Sequence, residues 1–171
     1  MEVNIKGEVY NLKKETFDSR VVYNLYSQDG RGVGFVYYRI NKESDNSIFL
    51  INIDIATYCQ SRGLGQFLFD LLYNDAILEK VYFIEGKYAP TNNYARPFYI
   101  KNGCEIYKDC YESYVRKDIP INAKENDFYT HIHIATSEEE QRENEAEESA
   151  SALDNAKKCS IAKSKDNARE Q

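Results

Sequence analysis

Over the first sixty residues, apolar and polar positions alternate in short runs rich in Tyr, Phe and β-branched residues, the pattern of strands with one buried face. Residues 21–27 (V-V-Y-N-L-Y-S) and 33–40 (V-G-F-V-Y-Y-R-I) flank Gln28, Asp29, Gly30, Arg31 and Gly32, whose glycines allow the positive φ of a hairpin loop. An earlier strand ends near Tyr10. Residues 48–56 (I-F-L-I-N-I-D-I-A) are apolar at both parities apart from Asn52 and Asp54, which predicts a central strand covered on both faces.

From Leu64 the period changes. Leu64, Phe67, Leu68, Leu71 and Leu72 recur at i, i+3, i+4, i+7 and i+8, placing them on one face of a helix that ends near Lys80. Residues 81–85 (V-Y-F-I-E) return to strand, and a polar loop broken by Pro90 follows. Asn92 or Asn93 then caps a second helix, with Pro97 tolerable only in its first turn or at a kink and Gly103 as its C-terminal stop. Residues 105–107 and 111–117 read as a closing hairpin.

After a polar link, residues 128–135 (F-Y-T-H-I-H-I-A) alternate at period two, predicting an edge strand. Beyond Thr136 come seven glutamates and one arginine within residues 137–148, then a stretch rich in Ser, Ala and Lys. Such a segment offers too little apolar surface to offset an ordering cost of roughly 1–2 kcal/mol per residue, and disorder with transient helix is expected. The expected organisation is one domain over residues 1–120, an added edge strand over 121–135, and a charged tail over 136–171.

Charge narrows the function classes. The net charge is -6, of which residues 136–171, with ten acids and six bases, carry -4. The folded part is nearly neutral and lacks a basic stripe, so nucleic acid is not an expected partner. No apolar run approaches the ~20 residues of a membrane span, residues 1–14 are broken by charge, and a cytoplasmic protein without a membrane partner is expected. Cys59, Cys104, Cys110 and Cys159 form no C-x-x-C pair and read as structural thiols. His131 and His133 flank Ile132, but two histidines without a third ligand do not make a metal site. They read as solvent-facing edge residues.

The chemistry concentrates in Gln60, Ser61, Arg62, Gly63, Leu64 and Gly65. A glycine-rich turn from a strand into a helix lets a ligand touch backbone, and the first N–H groups of the helix lack partners. That combination is a phosphate seat. Asp54, an acid in an apolar strand, is a candidate base whose burial would raise its pKa.

A second pattern follows at Asn92, Ala95, Tyr99 and Gly103, spaced N-x-x-A-x-x-x-Y-x-x-x-G. With the Q-x-x-G-x-G turn one helix and one strand earlier, residues 21–117 resemble the GNAT superfamily of N-acetyltransferases, which pairs a Q/R-x-x-G-x-G/A turn with such a helix. The resemblance implies an α/β (α+β) fold: a mixed, mostly antiparallel sheet splayed between strands 48–56 and 81–85, with helices on both faces. It implies acetyl-CoA as cosubstrate, with pantetheine in the splay and the pyrophosphate on the N–H groups of Arg62, Gly63, Leu64 and Gly65, in the turn opened by Gln60. The Ile55 N–H matches the group that binds the thioester oxygen, and Tyr99 matches the acid toward the departing thiolate. Asn92 contacts the cofactor or caps the helix. The preferred base is Glu85, at the end of the strand flanking the splay, with Asp54 as the alternative; a third reading needs no essential carboxylate.

Members of that superfamily carry two helices between their first two strands, and the loop joining them walls the acceptor cleft. Here only residues 11–20 are available, so the N-terminal helical region should be short or missing and the acceptor site open. An open site suits a protein or peptide amine better than a small metabolite. The expected activity is N-acetyl transfer by a monomer or homodimer; the alternative is a degenerate relative that binds acetyl-CoA or a protein without catalysis.

Overall fold

The computed structural model describes residues 1–108 and 112–167, with side chains in the last helix described as far as Ser151. Cys110 and Tyr111 lie outside the described residues, as does the side chain of Cys159. Met1–Thr136 is one compact unit and the residues after it are another.

Among the described residues, eight strands and three α-helices follow one another along the chain. They are β1 (Glu2–Ile5), β2 (Glu8–Phe17), β3 (Arg20–Ser27), β4 (Gly32–Asn41), β5 (Ser47–Ile55), α1 (Leu64–Leu78), β6 (Phe83–Tyr88), α2 (Ala95–Lys101), β7 (Glu105–Lys108), β8 (Ser113–Asp118) and α3 (Asp127–Asn167). The strands form one sheet in the order β1-β2-β3-β4-β5-β6-β8-β7. Every neighbouring pair is antiparallel except β5 and β6.

Cross-strand pairs share a face of the sheet, and the pairs Tyr38↔Leu50, Leu50↔Gly86 and Gly86↔Val115 trace one face across four strands. Tyr23, Tyr38, Leu50, Ile84 and Val115 are buried there. The same face carries the helices. Tyr23 and Tyr38 donate hydroxyl hydrogen bonds to Asp75 of α1, the Tyr99 ring of α2 packs on Tyr88 of β6, and Lys117 of β8 donates to the carbonyl of Asn102.

Helices therefore lie over one face of the sheet within Met1–Thr136, rather than over both as expected. The other face carries half-buried Phe35, Tyr37, Phe49 and Phe83, with the Arg39 and Arg116 guanidiniums 5.9 and 3.6 Å from the Phe49 and Phe83 ring centroids. For the same reason β5 is not doubly covered: its residues Ile51, Asn52 and Asp54 are exposed.

The strand expected to end near Tyr10 runs on: residues 11–17 continue β2, which turns at Asp18 and Ser19 straight into β3, with Leu12 pairing with Leu25 and Lys14 with Tyr23. No helix stands between these two strands, in keeping with the short or missing helical region expected. Two further expectations change. Residues 128–135 open α3 instead of forming an edge strand. Tyr129, Ile132, His133 and Thr136 fall at i, i+3, i+4 and i+7, and this face packs inward, with Ile132 and Thr136 buried. The alternation of His and Ile concealed that helical period. Residues beyond 136, expected to be disordered, are helical as far as Asn167. Their Ala and Glu content supplies helix propensity that a reading of burial alone does not weigh.

Candidate active site

The site begins where β5 leaves β6. Their pairing runs from Ser47↔Phe83 to Leu50↔Gly86 and stops. On the other edge of β5, Tyr38 pairs with Leu50 but Tyr37 pairs with Asn52, so Ile51 is an extra residue. A bulge bends and re-aims its strand, and this one falls at the last β5–β6 pair. The two strands diverge from that point, as the resemblance implied.

Divergence leaves backbone donors facing the gap. The Ala56 N–H donates to the Val33 carbonyl of β4 at 2.9 Å. Because N–H directions alternate along an antiparallel strand, those of Ile53 and Ile55 point the other way, toward the gap, where β6 offers no partner. The Ile55 carbonyl, facing the same way, accepts from Gln60 Nε2 at 3.2 Å, which anchors the turn at the mouth of the gap.

That turn supplies a second set of donors. Gly63 caps α1 at φ 87°, a left-handed backbone that favours glycine, and no side chain caps the helix. The first N–H to reach back is that of Phe67, to the Gly63 carbonyl at 3.0 Å. Those of Leu64, Gly65 and Gln66 therefore point out of the helix start. Gly65 is different: a Cβ there would meet only Phe98 Cε2 at 3.6 Å and Ile55 Cγ1 at 3.7 Å, ordinary contacts. The fold has room for a side chain that the sequence does not use. A glycine there makes sense if a ligand occupies the space.

Gap and turn open into one cleft of about 700 Å³. Lys6, Lys87 and Lys101 line it, against one acid, Asp54, so a chain of net charge -6 keeps a positive cleft. Lys87 also pairs with Glu112 at 2.7 Å.

Tyr99 sits in the wall of this cleft, nearly buried, its ring 5.7 Å from that of Tyr88 and 6.4 Å from that of Phe69. Burial pushes its hydroxyl up to about 12, and no hydrogen bond engages it among the described residues. The Tyr88 hydroxyl is buried without a partner among the described residues. Tyr88 escaped the sequence reading because the strand appeared to end at Glu85, though Ile84, Gly86 and Tyr88 are on one parity.

The two carboxylates lie elsewhere. Asp54 pairs across with Phe35, and Glu85 with Phe49, so both project from the uncovered face. Asp54 is exposed, which removes the burial argument made for it, but it lines the cleft. Glu85 does not; it lines a separate depression with Phe49, Lys87, Tyr114 and Arg116. Asn92 lines the cleft and also caps α2, its Oδ1 accepting from the N–H groups of Tyr94 and Ala95 at 3.1 Å each. Arg62 points away, its guanidinium 3.1 Å from Glu8. The Tyr10 hydroxyl and then Arg62 hold the Glu8 carboxyl below its ordinary range.

This architecture is found in known structures. Nourseothricin acetyltransferase superposes with a TM-score of 0.54 at 17% identity, over 62% of this chain and 71% of that one. The chain has the GNAT fold. A GNAT-family acetyltransferase from Listeria monocytogenes gives a TM-score of 0.53 at 11% identity over 70% of this chain and all of that one. The PaiA N-acetyltransferase of Thermoplasma acidophilum, in complex with coenzyme A, gives 0.54 at 16% identity over 59% of this chain and 62% of that one. No protein-family model matches the sequence, and no curated protein matches it.

The direct β2–β3 turn stands where the resemblance implied a helical region. No residue of the 120–135 segment lines the cleft; the first turns of α3 pack on α1 through the Asn74–Thr130 and Asp70–Tyr129 hydrogen bonds. His133 Nδ1 faces Asp75 instead of solvent, while His131 is exposed. Among the described residues no group of three or more His, Cys, Asp or Glu could hold a metal, Cys59 and Cys104 are free thiols, and no helix is long and apolar enough to cross a membrane.

Proposed function

We propose that this protein is an acetyl-CoA-dependent N-acetyltransferase acting on an amine of a protein or peptide. The observation that supports this most is the meeting, in one positive cleft, of the unpartnered α1 N–H groups with the Ile53 and Ile55 N–H groups of a strand that has left its neighbour. The first set suits a pyrophosphate. The second suits a pantetheine arm and a thioester carbonyl. The unused space at Gly65 is the room such a ligand needs.

When bound, acetyl-CoA supplies the activated acetyl group. The Ile55 N–H would stabilise charge developing on the carbonyl oxygen, a role that preorganised backbone donors fill at little reorganisation cost. Tyr99 stays protonated through the neutral range. A thiol ionises near pH ~8.5, so full transfer from so weak an acid would run uphill. Its hydroxyl acts chiefly as a hydrogen-bond donor to the departing sulfur.

The acceptor amine would enter from the uncovered face, where Asp54 can take its proton directly or through water. Glu85, outside the cleft, serves only an amine that also reaches its depression. The absent wall favours a large acceptor over a small metabolite.

Free thiol release from acetyl-CoA with a panel of peptides and small amines tests the proposal. The expected result is acceptor-dependent release, fastest with peptides. Calorimetric binding of acetyl-CoA with no release for any acceptor would replace the enzyme with a binding protein.

A further inference from the structure

We propose that Lys6, carried on the β1–β2 turn, is the side chain that neutralises the cofactor phosphates. The inference deepens the acetyl-CoA reading above and rests on it. Lys6 and Gly7 form the turn with φ of 53° and 90°, tied by the Gly7 N–H to Asn4 Oδ1 at 2.9 Å. The turn is far from the phosphate seat in sequence and beside it in space. A Cβ built on Gly63 would lie 2.7 Å from Lys6 Cε and 2.9 Å from Lys6 Nζ, so the lysine reaches over the loop that starts α1.

This is an electrostatically odd placement. The start of a helix carries partial positive charge, and a cation there is unfavourable. Lys6 nevertheless points its ammonium at that end, is exposed, lines the cleft, and forms no ion pair among the described residues. An anion seated between the ammonium and the α1 N–H groups turns the repulsion into attraction from both sides.

The loop's own arginine does not compete for the role. Arg62 is drawn off by Glu8, on the same hairpin as Lys6, and donates to the Tyr58 carbonyl. The β1–β2 hairpin thus holds the seat open on one side through Glu8 and supplies the cation on the other. No sequence pattern links Lys6 to residues 60–65, which explains why a reading of the loop alone misses it.

Titration calorimetry on the full chain, with acetyl-CoA and with S-acetylpantetheine, which keeps the thioester arm but has no phosphate, tests the inference. Lys6→Met should weaken acetyl-CoA binding about tenfold or more, leave S-acetylpantetheine binding unchanged, and make acetyl-CoA affinity less sensitive to salt. Lys6→Arg should keep most of the affinity. Because Lys6 is exposed, thermal melting of both variants should match the parent. Unchanged acetyl-CoA affinity in Lys6→Met, or equal weakening for both ligands, would overturn the role. If the unaltered protein binds no acetyl-CoA, the cofactor reading itself fails, a result distinct from either.

Discussion

His133 Nδ1 lies 2.9 Å from Asp75 Oδ1, joining the first turns of α3 to α1. The other oxygen of Asp75 accepts the hydroxyls of Tyr23 and Tyr38 from the sheet. One buried carboxylate, 2% exposed, thus ties β3, β4 and the start of α3 to α1. Burial, then the Asp75 charge, push the Tyr38 hydroxyl well above its ordinary range.

Removing that carboxylate takes the shared acceptor from two buried hydroxyls, of which that of Tyr23 still faces His133 Nδ1 at 3.4 Å. At about 1–3 kcal/mol for each unsatisfied group, Asp75→Ala should lower unfolding stability by about 2–4 kcal/mol in urea titration. His133→Ala should be milder. Its effect should be local, with amide exchange rising over residues 127–136 and little change in β3 and β4; uniform loss of protection would mean that the contact holds more than the α3 start.

Gly65→Glu separates fold from ligand. The position has room for a side chain, its Cβ meeting only ordinary contacts, so the melting temperature should hold while a carboxylate entering the phosphate seat lowers acetyl-CoA affinity about tenfold or more. Gly63→Ala should behave differently. With φ at 87°, it should cost about 1 kcal/mol of stability or more in its own right.

Tyr99→Phe should lower kcat by about tenfold to a hundredfold with a smaller change in KM for acetyl-CoA, as expected for a bond made mainly in the transition state. The pH dependence follows from the raised hydroxyl. A group whose folded pKa lies above its unfolded value, here about 12 against 10.0, stabilises the fold fully below pH 10. That contribution is lost as pH climbs through 10 to 12. The parent should therefore destabilise more steeply across that window than Tyr99→Phe, as alkaline denaturation can show.

The carboxylates give opposite expectations. Asp54→Asn should depress turnover most at acidic pH, where the amine most needs a proton acceptor, by about tenfold. Glu85→Gln, outside the cleft, should change the rate less than about threefold. Reversal of this order in a pH–rate comparison would move the base to Glu85.

How much of this was legible in advance depends on the range of the interactions involved. The hairpin of β3 and β4, the amphipathic α1, the Gly103 stop and the glycine turn at residues 60–65 follow from alternation, helical period and glycine backbone freedom, all expressed within a few neighbouring residues. The Tyr99 helix was equally legible by its spacing. Residues 128–135 were not, because His and Ile alternate in a way that satisfies period two while Tyr129, Ile132, His133 and Thr136 satisfy the helix. Only the partners Asp70 and Asp75 on α1 decide between the two.

The sequence alone determined the β3–β4 hairpin, the amphipathic α1 and the left-handed glycine turn that starts it, since backbone propensity and patterning act over a turn or two. Tertiary structure alone decided that β5 leaves β6 at the Ile51 bulge, that Asp54 and Glu85 share the uncovered face while only Asp54 reaches the cleft, and that Lys6 meets Gly63. Those are facts of register and packing between segments far apart in the chain, where no local period carries a signal.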